Sequence, residues 1–137
     1  EKFVRKCKTN CPFRIAKEFN YHVRFFELPM NIYGFYQRTL KRHFIVINSN
    51  YPYEWQRFTC AHELGHIQLH KGYSFTFIED HTLFNPDRYE REANQFAVAL
   101  LTFGQEILDG ETIENFFRRN LIPQEMTKYY TLAIKEK

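Results

Sequence analysis

Within Phe58-Thr59-Cys60-Ala61-His62-Glu63-Leu64-Gly65-His66-Ile67-Gln68-Leu69-His70, two histidines stand four positions apart and a glutamate follows the first. In an α-helix, positions i and i+4 share a face one turn apart, so the imidazoles of His62 and His66 can grip one metal ion together. Glu63 is rotated by roughly 100° from His62, which leaves its carboxylate able to flank a water instead of ligating. H-E-x-x-H on a helix is the layout of zinc hydrolases. The alternative is a surface helix that happens to carry these residues, and the neighbours argue against it. Ala61, Leu64, Gly65 and Leu69 surround the polar triplet, so His62 and His66 fall on or beside the side that packs inward. A buried imidazole needs a partner, and a metal supplies one. Gly65 costs about 1 kcal/mol of helix propensity against Ala, which predicts that something approaches the helix backbone closely there.

Such a helix needs a scaffold, and 137 residues are enough for one domain with a real core. Residues 12–19 predict a short helix opened by Pro12, with Phe13, Ala16 and Phe19 as its apolar stripe. Residues 21–28, 32–38 and 41–48 predict three strands, of which Phe44-Ile45-Val46-Ile47 is the clearest β-branched and aromatic run. Their short connectors predict a small antiparallel meander. Asn50 as cap and Pro52 in an early turn start the motif helix, which runs from about Tyr53 to His70 and stops at Gly72. Residues 71–85 show no clear period and predict a loop that rims the site. Asn85-Pro86-Asp87 starts a second helix to about Phe103, with Tyr89, Ala93, Phe96, Ala97 and Leu100 on its apolar face. Residues 111–119 and 124–135 predict two further short helices. The expected fold class is therefore α+β: a three-stranded antiparallel sheet packed on a zincin-like helix and a second ligand-bearing helix.

A catalytic zinc usually takes three protein ligands and leaves one position open. The second helix offers Glu90 and Glu92. With Tyr89 at zero, the apolar face centres near ~30°, Glu90 lies at ~100° and Glu92 at ~300°, so Glu90 is nearer the buried side and is the preferred third ligand. Asn94, at ~140°, can hydrogen-bond a ligand and hold it in place. Ala93 and Ala97 permit close approach of the motif helix. Otherwise, both glutamates are exposed carboxylates serving the helix dipole. His70 is open to reading as a ligand, a supporting donor or a surface group, and a carboxylate third ligand leaves no need to recruit it. His22 and His43 carry no spacing signal. His81, in the rim segment, is a candidate transition-state donor.

Other classes are disfavoured. A net charge of +3 is too weak by itself to imply nucleic acid, and the aromatic content of 18% comes without the basic-aromatic repeats of a stacking platform. No apolar run reaches ~18 residues, so no membrane span is expected. Cys7, Cys11 and Cys60 make an odd count and, with no signal peptide, predict free thiols in a cytoplasmic protein. If the edge of Phe44–Asn48 is free, an extended substrate can add to it as another strand.

With these residues in view, the chain resembles the ImmA/IrrE family of metallopeptidases. The resemblance rests on Arg57-Phe58-Thr59-x-Ala61-His62-Glu63-Leu64-Gly65-His66 with Leu69-His70, and on Glu90-x-x-Ala93-Asn94-x-Phe96-Ala97 with Leu100-Leu101. Gly34-Phe35-Tyr36 and Ile45-x-Ile47-Asn48 look like that family's strands, so the likeness covers about residues 12–103. It implies Zn2+ bound through His62, His66 and Glu90, with Glu63 as catalyst. It also implies a protein substrate, a helix-turn-helix repressor whose cleavage releases phage, mobile-element or stress genes. Thr102-Phe103 stand where the family commonly has Met-Pro. On this reading residues 1–137 form a single domain, a catalytic core over 1–104 and a helical extension over 105–137, like the short stand-alone members. A non-catalytic module that sequesters the repressor is the rival reading.

Overall fold

The computed structural model describes residues 4, 7–71, 75–78 and 86–130. Helix α1 (Pro12–Glu18) leads into strands β1 (His22–Phe26), β2 (Ile32–Thr39) and β3 (Arg42–Asn48). Helix α2 (Tyr53–Leu69), strand β4 (Phe75–Ile78), helix α3 (Arg88–Leu101) and helix α4 (Ile113–Arg119) follow, then a 3-10 turn at Gln124–Met126. The α+β class is as expected, but the sheet is not a three-stranded antiparallel meander. It has four strands in the order β1-β3-β2-β4 and is mixed. β3 pairs antiparallel with β2 and parallel with β1, and β2 pairs antiparallel with β4.

Two connections explain the difference. Thr39 pairs with Arg42 across a loop of Leu40 and Lys41 alone. Both loop residues have positive φ, 50° and 67°, the backbone of a two-residue hairpin whose twist suits the flanking strands. That turn fixes β3 beside β2. The connection from β1 to β2 is longer, and Asn48, at the end of β3, holds it. Asn48 Nδ2 donates to the carbonyls of Leu28, Pro29 and Ile32, and its Oδ1 accepts from the Leu28 N–H. The chain thus crosses the end of β3, and the most apolar strand takes the centre, with Ile45, Val46 and Ile47 buried. Because β3 is paired on both sides, an extended substrate cannot add to Phe44–Asn48; β1 and β4 are the outer strands. β4 itself lies in the segment expected to be a loop. Four residues are too few to show a period, and pairing with β2 supplies what local propensity does not.

α2 is a rod through the middle of the molecule, with every residue from Phe58 to Ile67 buried. Its surroundings are α1, through Ile15 and Ala16, the sheet, and α3. Gly34 allows β2 to pass against it: a Cβ there would sit 2.4 Å from the Val46 carbonyl oxygen and 2.7 Å from Thr59 Cγ2. At Gly65 the close neighbour is Phe96 of α3, 3.0 Å from where a Cβ would stand. The N-cap of α2 is Pro52, whose carbonyl accepts from the Trp55 and Gln56 N–H groups. Asn50, the expected cap, instead bonds to Asn48 and Leu28. α3 starts after Asp87, whose side chain accepts from the Glu90 N–H at 2.9 Å. Thr112 caps α4 in the same way. Phe116, Phe117, Ile122, Met126 and Tyr129 extend the core that α2 passes through. The expected helix over 124–135 begins as the 3-10 turn, and its end lies outside the described residues. Among the described residues no helix is long and apolar enough to cross a membrane. Among the described residues, no disulfide joins Cys7, Cys11 or Cys60.

Candidate metal centre

The helical period of α2 puts His62, His66 and His70 in one row, and α3 lies against that row. Nε2 of His62 and Nε2 of His66 are 3.1 Å apart. The Glu90 carboxylate comes in from the first turn of α3. Its Oε1 is 2.9 Å from His66 Nε2 and its Oε2 is 3.2 Å from His62 Nε2. Asp87 fixes that first turn by capping the Glu90 backbone. The Glu90 side chain does not turn back to complete a capping box and points at the histidines instead. Ligand atoms of His62, Glu63 and His66 also lie within 4.8 Å of one another.

The side chains of the site are buried. His62, Glu63 and His66 have no exposed surface, and Glu90 retains 4%. Phe77 of β4 stacks on His62, ring centroids 3.7 Å apart and planes within 8°. The expected hydrogen bond between Asn94 and a ligand is present: His62 Nδ1 and Asn94 Oδ1 are 2.8 Å apart. An amide oxygen only accepts, so His62 carries its hydrogen on Nδ1 and presents a lone pair at Nε2.

Electrostatics follow from the burial. Burial pulls His66 down to about 4, against the hydrogen bond that Glu90 accepts from it, which raises it; the ring is neutral at pH 7. Burial alone would raise Glu90, but the two imidazoles, His62 foremost, hold its carboxyl well below the usual range. Burial and then the neighbouring Glu90 charge push Glu63 well above the ordinary carboxylate value. Among the described residues, both Glu63 oxygens are buried without a hydrogen-bond partner. Such groups are costly. Two imidazole nitrogens and a carboxylate, converging with unpaired oxygens beside them, make a donor set that fits a divalent zinc ion.

The remaining sequence candidates lie as follows. Glu92 faces partly outward and does not reach the Nε2 pair; its Oε1 is 2.8 Å from His70 Nε2. His70 is buried and sets its Nδ1 2.8 Å from His66 Nδ1. His43 bonds to the Tyr36 hydroxyl, and His22 stacks on Phe44. His81 lies outside the described residues. Sequence reading missed the stacking of Phe77 and the pairing of Glu92 with His70. The alternation Phe75-Thr76-Phe77-Ile78 is the one local signal for the first.

Residues 16–110 match the peptidase M78 family model, described as the IrrE N-terminal-like domain. The chain is also similar to "Uncharacterized immunity region protein 2" of Bacillus phage phi105, with 43% identity over 101 residues. That stretch is 74% of this chain and 64% of the relative, so the chain spans just under two thirds of the relative's length. No solved structure matches.

Proposed function

The chain belongs to the peptidase M78 family of IrrE N-terminal-like domains, and on that premise we propose that it is a zinc-dependent endopeptidase that cleaves a helix-turn-helix repressor. One observation carries the reading: Glu90 converges on the Nε2 atoms of His62 and His66 beside a Glu63 carboxyl that has no hydrogen-bond partner among the described residues. His62, His66 and Glu90 would hold the zinc, which when bound lowers the pKa of a water toward about 7 and polarises the scissile carbonyl. Glu63 takes the proton from the attacking water and passes it to the leaving amine. A carboxyl whose proton affinity is raised by burial is suited to holding that proton between the two steps. Asn94 and the Phe77 ring keep the His62 imidazole turned so that its lone pair faces the site.

The substrate class draws on the phage relative, which is named an immunity region protein. A repressor that maintains immunity is a fitting target, and its cleavage would release the genes it silences. Free thiols suit a cytoplasmic setting. The recognised partner is the repressor protein, with no direct role for nucleic acid.

The test is incubation of the zinc-loaded protein with a purified helix-turn-helix phage repressor, followed on a denaturing gel. Repressor fragments with wild type and none with Glu63→Gln are expected. An intact repressor that co-elutes with wild type would overturn the enzyme reading in favour of sequestration.

A further inference from the structure

Beyond the three ligands stands a hydrogen-bonded chain that their roles do not use. His66 Nδ1 is 2.8 Å from His70 Nδ1, His70 Nε2 is 2.8 Å from Glu92 Oε1, and Arg88 Nε donates to Glu92 Oε2 at 3.3 Å. We infer that His70 and Glu92 are positioning residues for the metal centre, favouring the His66 tautomer that leaves the Nε2 lone pair to an ion held with His62 and Glu90. This rests on the metallopeptidase reading and adds two residues to it.

The argument follows the hydrogens. A carboxylate only accepts, so His70 carries its hydrogen on Nε2, toward Glu92. In that tautomer the other ring nitrogen, Nδ1, carries a lone pair and faces His66. His66 Nε2 and Glu90 Oε1, 2.9 Å apart, share the imidazole hydrogen when no ion stands between them; with an ion there, His66 Nδ1 donates to His70 and Nε2 keeps its lone pair for the metal. The opposite arrangement would put an N–H at Nε2, where no metal can be accepted. His62 reaches the same tautomer by another device, the amide oxygen of Asn94. α3 therefore supplies one ligand, Glu90, and the group that ends each orienting chain, Glu92 and Asn94. Those three stand at alternate positions over one turn, and the direct ligand is the first of them.

Carboxylate-to-histidine support of this kind changes metal affinity by roughly 10–100-fold. The experiment measures Zn2+ affinity by competition with a chromogenic chelator, alongside thermal unfolding of the metal-free proteins. Glu92→Ala and His70→Phe are expected to weaken zinc binding by about 10–100-fold. Glu92 is 35% exposed in its side chain, so its variant keeps the test available should His70→Phe fail to fold. His70→Asn is expected to recover most of the affinity, because its Oδ1 stands where the imidazole Nδ1 stood and accepts from His66 as Asn94 does from His62. Unchanged affinity in Glu92→Ala and His70→Phe overturns the inference. So does a His70→Asn variant that binds no better than His70→Phe while both melt lower without metal, since that is the mark of packing alone. A wild-type chain that takes up no zinc would instead sink the metallopeptidase reading, and the positioning role with it.

Discussion

Glu63 is a carboxyl group held away from solvent and, among the described residues, without a hydrogen-bond partner. A fold does not retain such a group for stability, because a buried unpaired acid costs free energy that an apolar side chain of similar size would not. Its position beside the Nε2 pair gives it a use as the proton carrier. Glu63→Gln keeps the shape and removes the basicity. Zinc content should stay at about one per chain while cleavage falls by roughly 10²–10⁴-fold, the usual worth of a positioned acid–base group; a rate within a few-fold of wild type would remove Glu63 from the mechanism. His66 occupies the opposite case. It touches His62, Glu90 and His70, so His66→Ala takes away a ligand and its orientation at once. Metal analysis of that variant should find zinc lost, and retention of a full equivalent would mean that other residues hold the ion.

Strand order depends on the hairpin between β2 and β3, and that hairpin is built from unfavourable residues. Leu40 and Lys41 both lie in the left-handed region, which costs roughly 1–2 kcal/mol per residue outside glycine and asparagine. Leu40 is also 89% exposed, so it has no packing to lose. The double variant Leu40→Asn, Lys41→Gly should therefore raise stability by about 1–2 kcal/mol, read as a higher denaturation midpoint with an unchanged slope. Gly34→Ala should act the other way. Its Cβ would meet the backbone oxygen of Val46 at 2.4 Å, which cannot rotate aside, so a loss of about 1–3 kcal/mol is expected. These same positions explain what the sequence conveyed. α2 and α3 are legible because a 3.6-residue period, Pro52 and Asp87 all act locally. The parallel pairing of β1 with β3 is not, because Leu40-Lys41 lacks the Asn-Gly signature of its turn and Asn48 acts on carbonyls some twenty residues away. At the site, the helix angle that separates an inward Glu90 from an outward Glu92 is a property of α3 alone. The His70–Glu92 pairing depends on how α2 and α3 are rotated about each other, which no local pattern encodes.

Over the whole molecule, the candidate site is the place where α2 and α3 meet through charge instead of apolar packing. Two imidazole nitrogens on α2 face a carboxylate on α3 at 2.9 and 3.2 Å. A cation held by all three would tie the two helices together, a link that metal-free protein lacks. The rest of the interface does not depend on the metal. Ala97, Val98, Leu100 and Leu101 of α3 share one core with Phe58 and Leu64 of α2 and with Phe116 and Phe117 of α4, and Arg57 of α2 donates to the carbonyl of Asn120 beyond α4. Removing zinc should then weaken the native state without abolishing it. An ion that binds only the folded chain adds about 2.7 kcal/mol at a free concentration 100-fold above its Kd, which for a chain of this size raises Tm by on the order of 10 °C. Thermal unfolding with and without a chelator should show that shift in wild type and none in His66→Ala. The chelated protein should still melt in a single cooperative step, because the aromatic and aliphatic core runs from α1 to α4 around the site and not through it. Loss of cooperative melting on chelation would mean that the centre organises the fold and is more than a device seated in it.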